Sequence, residues 1–210
     1  MIDEGTIKFD SHWRKTRALD NAEIATLNRW RRPLHDAGLI GHYEQHGIGF
    51  GNLSIRAGEK GQFIISGSQT GHLVDPGAEH YALVESYDIE RNRVFSIGAC
   101  EASSESMTHA LIYELDPEIG AIVHVHSEPL WAGLIGSVAT TDAKVAYGTP
   151  EMAREFRRLF METDFQKTGI AVMAGHDSGL VSTGSSLQQA AERILAIDEK
   201  LKTGQENARS

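Results

Sequence analysis

Cysteine is almost missing from this chain: Cys100 is the one thiol in 210 residues. A lone thiol excludes an internal disulfide and any cysteine-built zinc cluster. Basic residues are scarce as well. Twenty Lys and Arg face 29 Asp and Glu, a formal charge of −9. That balance argues against nucleic acid as a partner, because neutralising phosphates needs surplus Lys and Arg. A local anion site is still open to the chain, since backbone N–H groups form one without net charge. No apolar run approaches the ~18 residues of a membrane span. Met1-Ile2-Asp3-Glu4 lacks the basic and apolar regions of a signal peptide. The expectation is a cytoplasmic protein with no membrane partner. What is present is ordinary: 40% hydrophobic and 23% charged residues, in a length suited to one domain with a sizeable core.

Residues 1–20 read as a loosely tied arm, 21–203 as a single domain and 204–210 as a polar tail. Ala22, Ala25, Leu27, Trp30 and Leu34 recur at helical spacing, so a helix is expected over 21–37. Gly38 would cap it, and Pro33 predicts a kink or a break. Residues 47–56 make a glycine-rich turn entering a strand. Short strands are expected at 63–66, 81–88 and 93–97, parted by turn chemistry at Pro76-Gly77 and Glu90-Arg91-Asn92. A helix over 104–115 opens on a capping serine and ends at Asp116-Pro117. Strands over 120–126, 169–174 and 180–184 follow. Helices are expected over 150–160, with Pro150 in the first turn, and over 186–202, ended by Gly204. This mixture points to an α/β fold, a mixed or antiparallel sheet flanked by helices.

Chemistry concentrates in a few places. Gly120 to His126 alternates as a strand does, so His124 and His126 face one side while Val123 and Val125 pack on the other. Two imidazoles on one face can reach one cation; the bland alternative is a pair of satisfied sheet histidines. His176, near the end of another apolar run, is a third candidate ligand. Three histidines with an open position suit a catalytic zinc site, so the leading reading is a metal-dependent enzyme. On the preceding helix, Glu105, His109 and Tyr113 recur at i, i+4 and i+8. They line either a cavity or a solvated helix face. His12, His35, His42, His46, His72 and His80 show no ligand spacing and fit surface or capping roles. Three small polar loops, at 51–54, 66–68 and 103–104, offer N–H and hydroxyl donors and together suggest a phosphate or carboxylate pocket.

The set of motifs resembles the class II aldolase/adducin family over roughly Leu27 to Lys200. The matches are Gly51-Asn52-Leu53-Ser54-Ile55-Arg56, Ile65-Ser66-Gly67, Ser103-Ser104-Glu105, His109 with Tyr113, and His124-Val125-His126-Ser127. Gly148-Thr149 and His176 with the run Gly179 to Gly184 complete it. The resemblance implies a three-layer α/β/α sandwich around a central, mostly antiparallel sheet, assembled as a homo-oligomer, with a tetramer favoured. It implies zinc, or cobalt, manganese or nickel in its place, on His124, His126 and His176. Glu105 would be the acid/base residue, and Asn52, Ser66, Gly67, Ser103 and Ser104 would hold a substrate phosphate. The activity implied is an aldolase-type lyase of carbohydrate metabolism, cleaving a small sugar phosphate or related hydroxy-carbonyl compound through an enediolate. Dehydratase, epimerase and non-catalytic adducin-like modules are the alternatives. The chain departs from the pattern in two places. Asp177-Ser178 intervenes between His176 and Gly179, and the stretch from Ser127 to Tyr147 is short. The family's assisting tyrosine is therefore not assigned to Tyr147.

Overall fold

A computed structural model of the chain describes residues 5–58 and 61–207. The first half contains β1 (Asp10–Lys15), α1 (Asn21–Asp36), β2 (Gly41–Tyr43), β3 (Ile48–Phe50), β4 (Asn52–Arg56), β5 (Phe63–Ser66), β6 (Tyr81–Asp88) and β7 (Arg93–Gly98). The second contains α2 (Ser106–Leu115), β8 (Ala121–His126), α3 (Glu128–Leu134), β9 (Ala139–Thr140), α4 (Pro150–Glu162), α5 (Phe165–Thr168), β10 (Ile170–Val172), β11 (Gly179–Gly184) and α6 (Leu187–Asn207).

Nine of these strands form one sheet in the order β1-β7-β6-β5-β4-β8-β11-β10-β9. Its neighbours are antiparallel except at the two edges, where β1 joins β7 and β9 joins β10 in parallel. Two apolar clusters cover its faces. One gathers Phe63, Ile65, Met107, Leu111 and Phe156, beneath α2 and α4. The other gathers Leu27, Leu34, Val123, Val125 and Ile194, beneath α1 and α6. The expected α/β layering with a largely antiparallel central sheet is therefore present. Because side chains alternate along β8, placing Val123 and Val125 in the second cluster turns His124 and His126 toward the α2 side.

Several local expectations are corrected. The arm is not loose: β1 extends the sheet, and Phe9 is buried in the first core. Its polar sequence hid a strand that is held by backbone pairing rather than by an apolar face. Pro33 does not break α1, which continues through it to Asp36; it lies in the last turn, with little helix left beyond it to disrupt. Gly38 caps the helix as expected, at φ 76°. α2 starts at Ser106, two residues later than expected, with Glu105 as N-cap and no side-chain capping bond. Gly204 does not end α6, which runs to Asn207; a glycine in an exposed helical turn costs only about 1 kcal/mol. Residues 1–4 of the arm and 208–210 of the tail lie outside the described residues.

Candidate metal centre and anion pocket

β8 brings its two imidazoles together, and the turn between β10 and β11 adds the third. Ligand atoms of His124, His126 and His176 all lie within 4.8 Å of one another, and all three residues are buried. Register explains the convergence. Gly179 pairs with His126 and Val181 with His124, so the residues just before β11 arrive beside the end of β8. The turn is tight: His176 N–H donates to Met173 O (3.0 Å), and Gly179 N–H donates to His176 O (2.9 Å).

Protonation can be read from the partners. His124 Nδ1 stands 3.0 Å from the Leu180 carbonyl, which can only accept. The ring proton is therefore on Nδ1, and Nε2 is left bare. That nitrogen faces His126 Nε2 at 3.1 Å. Two nitrogens each ~2.0–2.1 Å from a tetrahedral zinc would stand roughly 3.3 Å apart. Tyr43 Oη lies 3.2 Å from His126 Nδ1, so His126 also has a hydroxyl behind its ring. Burial, reinforced by the neighbouring His176, holds His124 and His126 well below the usual imidazole range. Both are neutral at pH 7, as a metal ligand must be. The donor set thus fits one divalent cation.

Glu105 is buried, with Oε1 3.5 Å from His176 Nδ1. Its place as N-cap of α2 points the carboxylate at the metal side rather than back along the helix. The i+4 and i+8 residues do something else. His109 and Tyr113 close on Ser54, with Ser54 Oγ 2.7 Å from His109 Nδ1 and 2.8 Å from Tyr113 Oη. They form a buried polar knot under the site, not the wall of a cavity. Burial pushes His109 down to about 3 and moves Tyr113 upward.

Four of the five expected anion-binding residues share one small polar pocket. Asn52, Gly67, Ser103 and Ser104 line it, together with Gly49, Gly51 and the run Ser68 to Gly71. Asn52 Oδ1 is buried with no hydrogen-bond partner among the described residues; as an acceptor it is left a bond to make with a donor, such as a substrate hydroxyl. Ser66 is not in the lining. Its hydroxyl is spent on the backbone of Leu53, at 3.3 Å from both N and O. Gly67 is there for want of a side chain. Its N–H already donates to His80 O (2.8 Å), and a Cβ would overlap Cys100 Sγ. Ser103 Oγ accepts from Glu105 N–H (3.2 Å), linking the pocket to the carboxylate.

Residues that the sequence reading passed over are Tyr43, Gln69, Thr70 and Arg31. Gln69 and Thr70 continue the same polar loop and were open to detection. Tyr43 and Arg31 carry no local signal. A larger cleft of about 510 Å³ opens beside His126, walled by Leu39, Tyr43, Phe50 and Leu201.

A buried three-histidine cluster able to hold a metal, with a nearby carboxylate and a serine- and glycine-lined pocket, is carried on the sheet of an α/β protein. The chain belongs to the class II aldolase and adducin N-terminal domain family, whose profile matches residues 37–203. A 3-oxo-tetronate 4-phosphate decarboxylase from Haemophilus influenzae is 28% identical over 176 residues, covering 73% of this chain and 76% of that one. Among solved structures, L-fuculose 1-phosphate aldolase from Thermus thermophilus superposes with TM-score 0.63 at 20% identity, covering 90% of this chain and 95% of that one. A sugar-phosphate aldolase from Thermotoga maritima superposes with TM-score 0.67 at 17% identity, covering 87% and 93%. At these identities the solved structures speak for the fold. No helix among the described residues is long and apolar enough to cross a membrane.

Proposed function

We propose that the chain is a zinc-dependent carbon–carbon lyase for small phosphorylated hydroxy-carbonyl compounds, working through an enediolate. The observation that carries this reading is the convergence of His124, His126 and His176 with Glu105 3.5 Å from His176. An adducin-like interaction module has no use for three convergent, buried imidazoles.

His124, His126 and His176 would hold a divalent cation, which would supply a Lewis acid to polarise the substrate carbonyl. The bond to the carbon next to the hydroxyl-bearing carbon then breaks, and its electron pair flows into the hydroxy-carbonyl unit. The departing fragment is an aldehyde in an aldol cleavage, where the hydroxyl on that carbon gives its proton to a base as the bond breaks, and carbon dioxide in a decarboxylation. In both cases the enediolate must be protonated at carbon; Glu105 takes the role of giving that proton, having received it from the departing hydroxyl in an aldol cleavage or from water in a decarboxylation. The substrate phosphate sits among Asn52, Ser103 and Ser104, with Gly67 leaving room and Ser66 supporting the strand behind. The 28% identity to a decarboxylase favours a substrate that still carries a carboxylate. Cytoplasmic placement and a homotetramer belong to the same proposal; light scattering that gives a monomer at high concentration would remove the latter.

The test is a product assay on zinc-loaded protein. Ketose 1-phosphates are screened for aldehyde release and 3-oxo acid 4-phosphates for carbon dioxide release. The expected outcome is cleavage of one class, abolished by chelation. A fully loaded protein that cleaves neither would overturn the proposal, and one that only interconverts epimers would replace it.

A further inference from the structure

Arg31 has no exposed surface. Among the described residues it has no carboxylate partner; its bonds go to backbone carbonyls. Nε donates to Leu73 O (2.8 Å), and Nη2 donates to Thr70 O (2.7 Å) and Gly71 O (3.4 Å). Nη1 is buried with no hydrogen-bond partner among the described residues. Its neighbours on α1 hold the same segment. Asn28 Nδ2 donates to Pro76 O at 2.9 Å, and Arg32 pairs with Asp75. Positions i, i+3 and i+4 lie on one helix face, so α1 clamps residues 70–76 as a unit.

That segment is a wall of the anion pocket, since Thr70 and Gly71 line it. Next to them Gln69 Oε1 accepts from Gly49 N–H at 2.9 Å, tying the two glycine-rich loops together. In a trans peptide the N–H points away from the C=O. Anchoring the Thr70 carbonyl therefore also sets the direction of the Gly71 N–H. A buried cation without a counter-charge is disfavoured by desolvation, which carbonyl dipoles offset only in part. An arginine stays charged regardless, so its field acts on the loop beside it, where an anion would gain from it.

We propose that Arg31 is a positioning residue for the anion pocket: it fixes the loop that walls the pocket and places an uncompensated positive charge behind it, so that a phosphoryl group is the preferred occupant. The proposal rests on the reading of this pocket as the phosphate end of the substrate site.

The test measures binding of inorganic phosphate to the zinc-loaded full chain by calorimetry, for the wild type, R31K and R31M. Metal content and amide hydrogen exchange are followed alongside. Lysine keeps the charge but cannot hold the carbonyls as a fork, so R31K should bind phosphate about 10-fold more weakly, and R31M about 100-fold more weakly. Metal content should stay at the wild-type level, and exchange should quicken over residues 67–76 but not over β8. A folded R31K with wild-type phosphate affinity overturns the clamp and leaves the pocket reading standing. Exchange that quickens evenly along the chain also overturns it, since that is general destabilisation. If R31M fails to fold, R31K decides alone. A wild-type chain that holds zinc but binds no phosphate removes the pocket reading and the clamp with it.

Discussion

Tyr147 lies flat on His176, with ring centroids 4.2 Å apart and planes 20° from parallel. Its hydroxyl accepts the Thr6 N–H at 3.2 Å, and the Lys8 ammonium stands 3.7 Å from its ring centroid. The N-terminal arm thus reaches a candidate metal ligand through one aromatic ring. The tyrosine supports the ligand's orientation, a role that requires the ring and not the hydroxyl. Tyr147→Phe should therefore hold metal as the wild type does, while Tyr147→Ala should lose about 10-fold in metal affinity. Competition with a graded series of chelators measures both. Equal affinities for the two variants would show that the stack does not orient His176.

The three imidazoles should hold about one divalent ion per chain, and replacing any one of them by alanine should leave the purified protein essentially without metal. Because burial holds His124 and His126 well below the usual imidazole range, protons compete weakly for them. Proton competition at these two ligands should consequently stay weak as pH falls from about 8 to about 6, where exposed imidazoles would already take up protons. A metal titration at several pH values checks this; a steep decline starting above pH 7 would contradict the neutral assignment.

Glu105→Gln should preserve the fold and the metal content but lower turnover by about 10²–10⁴-fold. The carboxylate is not used as a helix cap, so its removal spares α2. Circular dichroism and elemental analysis alongside single-turnover rates would separate the effects. If the variant is as active as the wild type, the proton must come from elsewhere in the site.

The histidine cluster was the most legible part of the sequence, and the reason is strand periodicity. Alternation over residues 120–126 puts His124 and His126 on one face whatever else the fold does. His176 was visible in the Gly/His/Asp/Ser stretch where an apolar run stops. The anion pocket was legible as composition but not as geometry. Nothing in Ser66 or Gly67 says that one hydroxyl would turn into the sheet or that one amide would already be taken. Arg31 was illegible for a stronger reason. In sequence it is one of several charges on an amphipathic helix, and only the path of residues 70–76 over that helix buries it. The strand β1 was hidden because an edge strand held by backbone pairing needs no apolar alternation.

His109 ties the core under the site to pH. It is fully buried against Ser54, and burial lowers its pKa from 6.5 to about 3. In the unfolded chain the same imidazole takes up a proton near its ordinary value, so between those limits the unfolded state binds more protons than the folded one. Stability is then complete above about pH 6.5 and declines as pH falls toward about 3, at a slope approaching 1.4 kcal/mol per pH unit for this one group. His124 and His126 act in the same direction, so the contribution must be isolated by difference. His109→Gln removes the titration while keeping a side chain able to bond Ser54. Its denaturation midpoints, measured from pH 7.5 to pH 4.5, should fall less steeply than those of the wild type. Parallel curves for the two proteins would mean that His109 gains its proton in the folded state as readily as in the unfolded one, and that the knot with Ser54 and Tyr113 opens to water before the chain unfolds.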